Sequence, residues 1–279
     1  MMLTDTIITS LGLINFIALF SILLIGLPHG AFDGAIATYL GYTDRSTFLI
    51  RFLIIYILLS IIVVLLWLAF PSSSLIIFLG ISIIHFGLGD ARAKRGWFKW
   101  VQAIAHGGVV VAVTTQSHKS DVNKIFNYII GGESSQIWVA IDVISVIVAL
   151  TMIIYVWQVI LDRCWLVGLI ELIFLILLFN KLPPLVSFAI YFCCIHSVRH
   201  LWNIWRFIQT TLPSKIIYVQ AIGFTITSWI VGYFAFSWCM TQMSVESSML
   251  RVIFIGLSAL TVPHMLLVDI FLRNHKEKL

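Results

Sequence analysis

Long apolar runs recur along the whole chain, and few folds can accommodate them. Each run is close to the roughly 20 residues that a helix needs to cross the hydrocarbon core of a bilayer. Only 10% of the residues are charged, against about 25% in soluble domains. We therefore predict an all-α, polytopic transmembrane bundle of about nine helices (eight is the alternative), forming one integral-membrane domain over residues 1–279. The apolar segments lie near 7–28, 48–70, 73–91, 98–116, 137–160, 164–181, 184–207, 216–239 and 249–272.

The loops between these segments carry most of the basic residues and predict the orientation of the chain. With the N-terminus outside and the C-terminus in the cytoplasm, the cytoplasmic loops hold about three times as many Lys and Arg residues as the external loops. This predicts a multi-pass protein of the cell (inner) membrane. The net charge of +5 is spread over short loops and does not indicate a nucleic-acid partner. The longest external loop is expected near 117–136.

Six histidines lie in or at the ends of the apolar segments. An ionisable side chain inside a bilayer costs about 2–3 kcal/mol, so each is a functional candidate. The predicted topology places all six in the cytoplasmic half of the membrane. Neutral imidazole is a common transition-metal ligand, and convergence at one depth predicts a site in the bundle core. These residues are His29, His85, His106, His196, His200 and His264.

His196 and His200 stand four residues apart, so they share one face of a helix and could offer two ligands to one ion. Ligating histidines commonly donate their second N–H to a carboxylate. An aspartate follows three of the histidines within a few residues: Asp33 after His29, Asp90 after His85, and Asp269 after His264. His106 precedes two glycines, and a packing role suits it as well as metal binding does.

The residues alone leave several functions open. Four neutral nitrogens without a paired thiolate suit Fe(II), Cu or Zn. No lysine falls in mid-helix, which excludes a retinal-binding rhodopsin. A membrane metal transporter or a bis-His haem protein stays an alternative, although Glu171 is the one clear mid-helix carboxylate and transporters usually show more.

Five motifs, in order along the chain, resemble the Brp/Blh family, whose members are membrane-bound β-carotene 15,15′-dioxygenases that make retinal for microbial rhodopsins. The motifs are Pro28–Asp33, His85–Asp90, His106–Gly107, His196–His200 and Pro263–Asp269. The resemblance implies a catalytic domain with one non-haem Fe(II), held by four histidines that match the motifs: His29, His85, His196 and His200. We expect His106, His264, Asp33, Asp90 and Asp269 to support that site from outside the ligand set.

The implied chemistry suits a membrane protein. β-Carotene is an apolar polyene about as long as the bilayer core is thick, about 30 Å, and only shape and apolar contact can recognise it. We expect a tunnel that opens sideways to lipid, with the iron near its midpoint, where O2 cuts the central double bond into two retinal molecules. Candidate lining residues are Phe86, Tyr191, Phe192, Trp202 and Trp205.

Overall fold

The computed structural model describes residues 12–93 and 96–276, and every regular element in that part is helical. The side chains of Leu27, His29, Asp269 and residues 271–276 lie outside this description. The α-helices are α1 (Leu13–Ser21), α2 (Asp33–Tyr39), α3 (Ser46–Ala69), α4 (Pro71–Asp90), α5 (Trp97–Ser117), α6 (Lys119–Ile130), α7 (Ser135–Leu161), α8 (Leu166–Lys181), α9 (Pro184–Ala189), α10 (Ser197–Ile208), α11 (Ser214–Cys239) and α12 (Val245–Lys276).

Seven helical stretches within the described residues are long and apolar enough to cross a membrane. They comprise α3, α4, α7, α8 with its preceding turn, the continuous stretch Pro184–Ile208, α11, and α12 over Val245–Val268. In the most apolar 18-residue stretch of α3 and of α11, only 11% of the residues are buried inside the protein. The outer faces of these helices therefore present aliphatic and aromatic side chains that suit lipid. The predicted all-α polytopic fold is confirmed.

Two predicted segments differ from these seven. The first begins outside the described residues, and within them the apolar helix covers Leu13–Gly26. The fourth forms α5 at the expected length, but Lys99, Gln102 and His106 make it less apolar than the others. Most of its side chains are buried among neighbouring helices, so α5 meets protein on most sides.

The segment 117–136, predicted as an external loop, contains helix α6. Val122, Phe126, Ile129 and Ile130 form the buried face of this helix. Their spacing of three and four residues is the amphipathic helical period, and Gly131 ends the helix in a left-handed conformation.

Two π-helical turns interrupt the α-helical geometry. Ile22–Gly26 follows α1 and leads into the 3-10 turn Leu27–Gly30, which contains His29. Ile190–His196 follows α9 and ends on His196. Single π turns inside helices occur often at functional sites, and here one comes shortly before His29 and the other ends on His196.

Contacts along the backbone group the chain into two compact units. We call Leu19–Ala69 with the chain from Ser197 onward the first unit, and Leu13–Ala18 with Phe70–His196 the second unit. The first unit has a core of aliphatic residues from α2, α10, α11 and α12: Ala35, Ile36, Ile204, Ile208, Ile217 and Leu267. In the same unit the indole N–H of Trp67 in α3 donates to Ser258 in α12 at 3.0 Å.

The second unit is built on a close crossing of α4 and α5. Gly87 lies against the carbonyl of Ala103, and Gly107 lies against the carbonyl of Ile83, so that a Cβ at either glycine would collide with backbone. Gly108 makes a similarly close contact with Val148 of α7. Small residues let helix backbones approach this closely, and the crossing fixes the position of His85 in α4.

Candidate metal centre

In the second unit, His85 and His196 direct their Nε2 atoms at each other over 3.3 Å. Their rings are 5.0 Å apart at 67°, and His196 is only 1% exposed. Two nitrogens bound to one ion at about 2.1 Å, at angles of about 90–110°, lie about 3.0–3.4 Å apart. The distance between the two Nε2 atoms therefore suits two imidazoles that bind one cation. It equally suits two imidazoles joined by a hydrogen bond.

Aromatic side chains enclose His196. The ring of Phe86 stands at 69° to it with centroids 4.7 Å apart, and Phe192 stacks on it at 13°. Gly89 leaves room for the imidazole, because a Cβ there would lie 3.3 Å from its Cε1. The predicted lining residues Phe86, Tyr191 and Phe192 are thus gathered around one predicted ligand.

Asp90 lies at the end of α4, is buried, and accepts a hydrogen bond from the Tyr191 hydroxyl at 2.7 Å. Tyr191 in turn contacts the rings of Phe86 and His196. The carboxylate expected to support the site is therefore joined to its aromatic wall.

His106 occupies a separate polar cluster of the second unit. Its Nδ1 lies 3.0 Å from the carbonyl of Gln102 and its ring is 5.8 Å from that of Tyr155. Because a carbonyl only accepts, Nδ1 carries the proton in this contact. The side chain of Gln102 accepts from the backbone N–H groups of Arg92 and Ala93, so the cluster anchors the chain after α4.

In the first unit, His264 and Asp33 form a fully buried pair. Nδ1 of His264 lies 2.6 Å from Oδ1 of Asp33, and the hydroxyl of Tyr56 donates to the other carboxylate oxygen at 2.7 Å. The ring of His200 is 5.0 Å from that of His264, at 68°. Asp33, which lies four residues after His29 and was expected to support the site, pairs with a histidine 231 residues away.

The remaining predicted residues have varied positions. His29 belongs to the 3-10 turn Leu27–Gly30, and its side chain and that of Asp269 lie outside the described residues. Trp205 packs on the first unit's core and contacts Phe32 and Tyr218. Trp202 is 60% exposed on the outer face of α10.

Sequence reasoning missed Tyr56, which holds the second oxygen of Asp33. A usable signal exists, because Tyr56 is a polar-tipped residue within an otherwise aliphatic stretch of α3. A hydroxyl in such a stretch needs a partner, so it indicates a buried acceptor on a neighbouring helix.

The histidine side chains supply some, but not all, of the nitrogen ligands that a metal site needs. Each unit brings two imidazoles to 5.0 Å, and these are the neutral donors that Fe(II), Cu and Zn accept. Over the described part of the chain, no group of three or more His, Cys, Asp or Glu residues is gathered closely enough to hold an ion.

Comparison with known proteins gives the family. A profile described as "Beta-carotene 15,15'-dioxygenase" matches residues 20–272. A relative named "Beta-carotene 15,15'-dioxygenase", from an uncultured marine bacterium (66A03), is 37% identical over 270 residues, which cover 96% of this chain and 98% of the relative. No solved structure matches the chain. The match extends from α1 into α12, and the chain belongs to the beta-carotene 15,15'-dioxygenase family.

Proposed function

We propose that this protein cleaves the central double bond of β-carotene with O2 to give two molecules of retinal. The family match over residues 20–272 carries this proposal. The reaction balances without a reductant, because the two carbons of the broken bond each take one oxygen atom of O2. The apolar outer faces of α3 and α11 suit a protein of the cell membrane, where the substrate is dissolved.

We further propose that the cofactor is a non-haem Fe(II) held by His29, His85, His196 and His200. When bound, the iron would supply the means to activate O2. Support comes from the i, i+4 spacing of His196 and His200, from the approach of His85 to His196, and from the motifs that resemble the family.

The protein's own side chains would bind and orient the polyene. Phe86 and Phe192 present ring faces and edges beside His196, and such surfaces recognise an apolar chain by shape and dispersion. The same rings keep water away from the histidine pair. Tyr191, held by Asp90, fixes the back of this wall, so the central bond can rest at a constant distance from the histidines.

One contact disfavours the transporter alternative. Glu171, the carboxylate that would mark an ion path in a transporter, pairs with Arg92 at 2.9 Å and so acts in helix packing. The spectrum of the purified protein separates the haem alternative, because bis-His haem would give a Soret band and non-haem Fe(II) would be nearly colourless.

Expression in cells that accumulate β-carotene tests the proposed function. We expect loss of orange colour and formation of retinal, measured by chromatography, with His196→Ala as the inactive control. With 18O2, each retinal should acquire one labelled oxygen, if exchange with water is limited by rapid reduction to retinol. Products of unequal length, or retained colour with well-expressed protein, would contradict the proposal. Retinal production would also make a microbial rhodopsin the expected consumer.

A further inference from the structure

His264 is connected to Asp33 in the manner typical of metal-bound histidines. Its Nδ1 lies 2.6 Å from the carboxylate, which accepts, so Nδ1 carries a proton, and the tautomer with this proton has its lone pair on Nε2. Histidines that bind metals through one nitrogen commonly donate from the other to a carboxylate, which fixes the tautomer and the ring direction. Both residues are almost completely buried.

Tyr56 completes this arrangement from α3. Its hydroxyl donates to Oδ2 of Asp33 at 2.7 Å, so the carboxylate is held by one donor on each oxygen. Gly30 allows the close approach, because a Cβ there would stand 2.8 Å from Oδ2 of Asp33. Burying a carboxylate is costly unless it is paired and hydrogen-bonded, and His264 and Tyr56 supply those partners to Asp33.

His264 also faces another histidine with the geometry of a shared ligand set. The His200 and His264 rings are 5.0 Å apart at 68°, and His85 and His196 are 5.0 Å apart at 67°. Two imidazoles bound to one ion at about 2.1 Å, at angles of about 90–110°, have ring centres about 4.5–5.3 Å apart. The two pairs lie in different units and share this geometry independently.

We propose that His264 is itself a metal ligand beside His200, with Asp33 and Tyr56 as its positioning residues. This rests on the proposed function in that it requires a bound metal. It adds a ligand to the four that the family resemblance implies. It also changes the role expected for His264 from sequence, where it was a supporting residue.

Metal binding, rather than turnover, tests this proposal. The full-length protein in detergent is stripped with a chelator and loaded with Co(II), whose visible d–d absorption reports coordination. In His264→Ala we expect an altered spectrum and a Co(II) affinity about 10–100-fold lower. Added imidazole should restore the wild-type spectrum, because it replaces the missing ligand. Asp33→Asn leaves the His264 imidazole in place, and we expect it to lower the Co(II) affinity about tenfold. Tyr56→Phe should lower the Co(II) affinity less.

Controls separate the possible failures. His118→Gln removes a histidine that contacts the Phe179 carbonyl, outside the candidate centre, and should leave the spectrum unchanged. If His264→Ala folds poorly, His264→Gln and Asp33→Asn provide the same comparison. Wild-type Co(II) affinity and spectrum in the His264 variants would overturn the ligand assignment alone. A wild-type protein that binds no Co(II) or Fe(II) would overturn it together with the iron proposal, and a metal-binding protein without β-carotene cleavage would contradict only the proposed reaction.

Discussion

Gly107 of α5 lies directly against the carbonyl of Ile83 in α4, one turn from where the reciprocal contact of Gly87 with Ala103 is made. At this crossing, each glycine lets the backbone of the other helix approach closely, because it has no Cβ. Because His85 lies between Ile83 and Gly87 on α4, the separation of these helices determines where its imidazole stands. The candidate site in the second unit therefore depends on the absence of two methyl groups.

Gly107→Ala should destabilise the protein, because the new Cβ would force the helices apart. We expect a loss of about 1–3 kcal/mol, the usual range for overpacking, seen as a lower midpoint of thermal unfolding by circular dichroism in detergent. Gly80→Ala, on the neighbouring helix α4 but with open space around it, is the control. It should be neutral or stabilising by about 0.5–1 kcal/mol. Equal midpoints for the two variants would contradict the close-packing argument.

His85→Ala and His196→Ala should each abolish retinal formation and reduce bound iron, while the protein still inserts into membranes. The physical reason is the loss of one of two nitrogens that stand 3.3 Å apart. Iron is measured by mass spectrometry on purified protein, and His118→Gln serves as the control. We expect the same outcome for His29 and His200, and stoichiometric iron in two or more of the four variants would refute the assignment.

His106→Ala should give the opposite pattern, with iron content close to wild type and reduced stability. Its ring is fully buried and contacts the Gln102 carbonyl and Tyr155. Removing a buried side chain of this size costs about 2–5 kcal/mol. Thermal unfolding and iron analysis on the same preparation check both parts. Loss of iron with an unchanged unfolding midpoint would make His106 a ligand.

Phe86→Ala should lower kcat/KM for β-carotene by about tenfold, the equivalent of about 1.4 kcal/mol of transition-state contact. The reason is that Phe86 lies 4.7 Å from the His196 ring. Trp202→Ala, which removes an exposed ring on α10, should change kcat/KM less than twofold. Retinal formation in detergent-solubilised enzyme measures both. A larger loss in the Trp202 variant would move the polyene path to the outer face of α10.

The architecture could be predicted because the membrane limits the choice. Apolar runs of sufficient length must become helices in lipid, and residues 48–70 and 216–239 agree with α3 and α11 within a few residues. Helix α6 was missed because the chain there is polar on average, and only the spacing of Val122, Phe126 and Ile129 marks it.

The site was harder to predict because its pairings are distant in sequence. Local spacing suggested Asp33 and Asp269 as supporting carboxylates because they follow His29 and His264 closely. The contact of Asp33 with His264 arises from the packing of α2 and α12, and spacing along the chain does not indicate it. The approach of His85 to His196 crosses 111 residues, and no local pattern states which helices cross. The sequence did indicate a candidate metal site, because an imidazole is costly inside an apolar membrane helix unless it has a function.

The π turn at Ile190–His196 changes which neighbours a single helix can offer to His196. In an α-helix, with about 100° between successive residues, side chains five positions apart diverge by about 140°. Tyr191 is five positions before His196 and Phe192 is four, yet both ring centroids lie 6.1 Å from that of the imidazole. The widened turn lets one stretch of backbone supply both a stacked ring and, through Tyr191, a link to Asp90. If the same residues were wound as an ordinary α-helix, Phe192 would stay on the face of His196 and Tyr191 would point away from it.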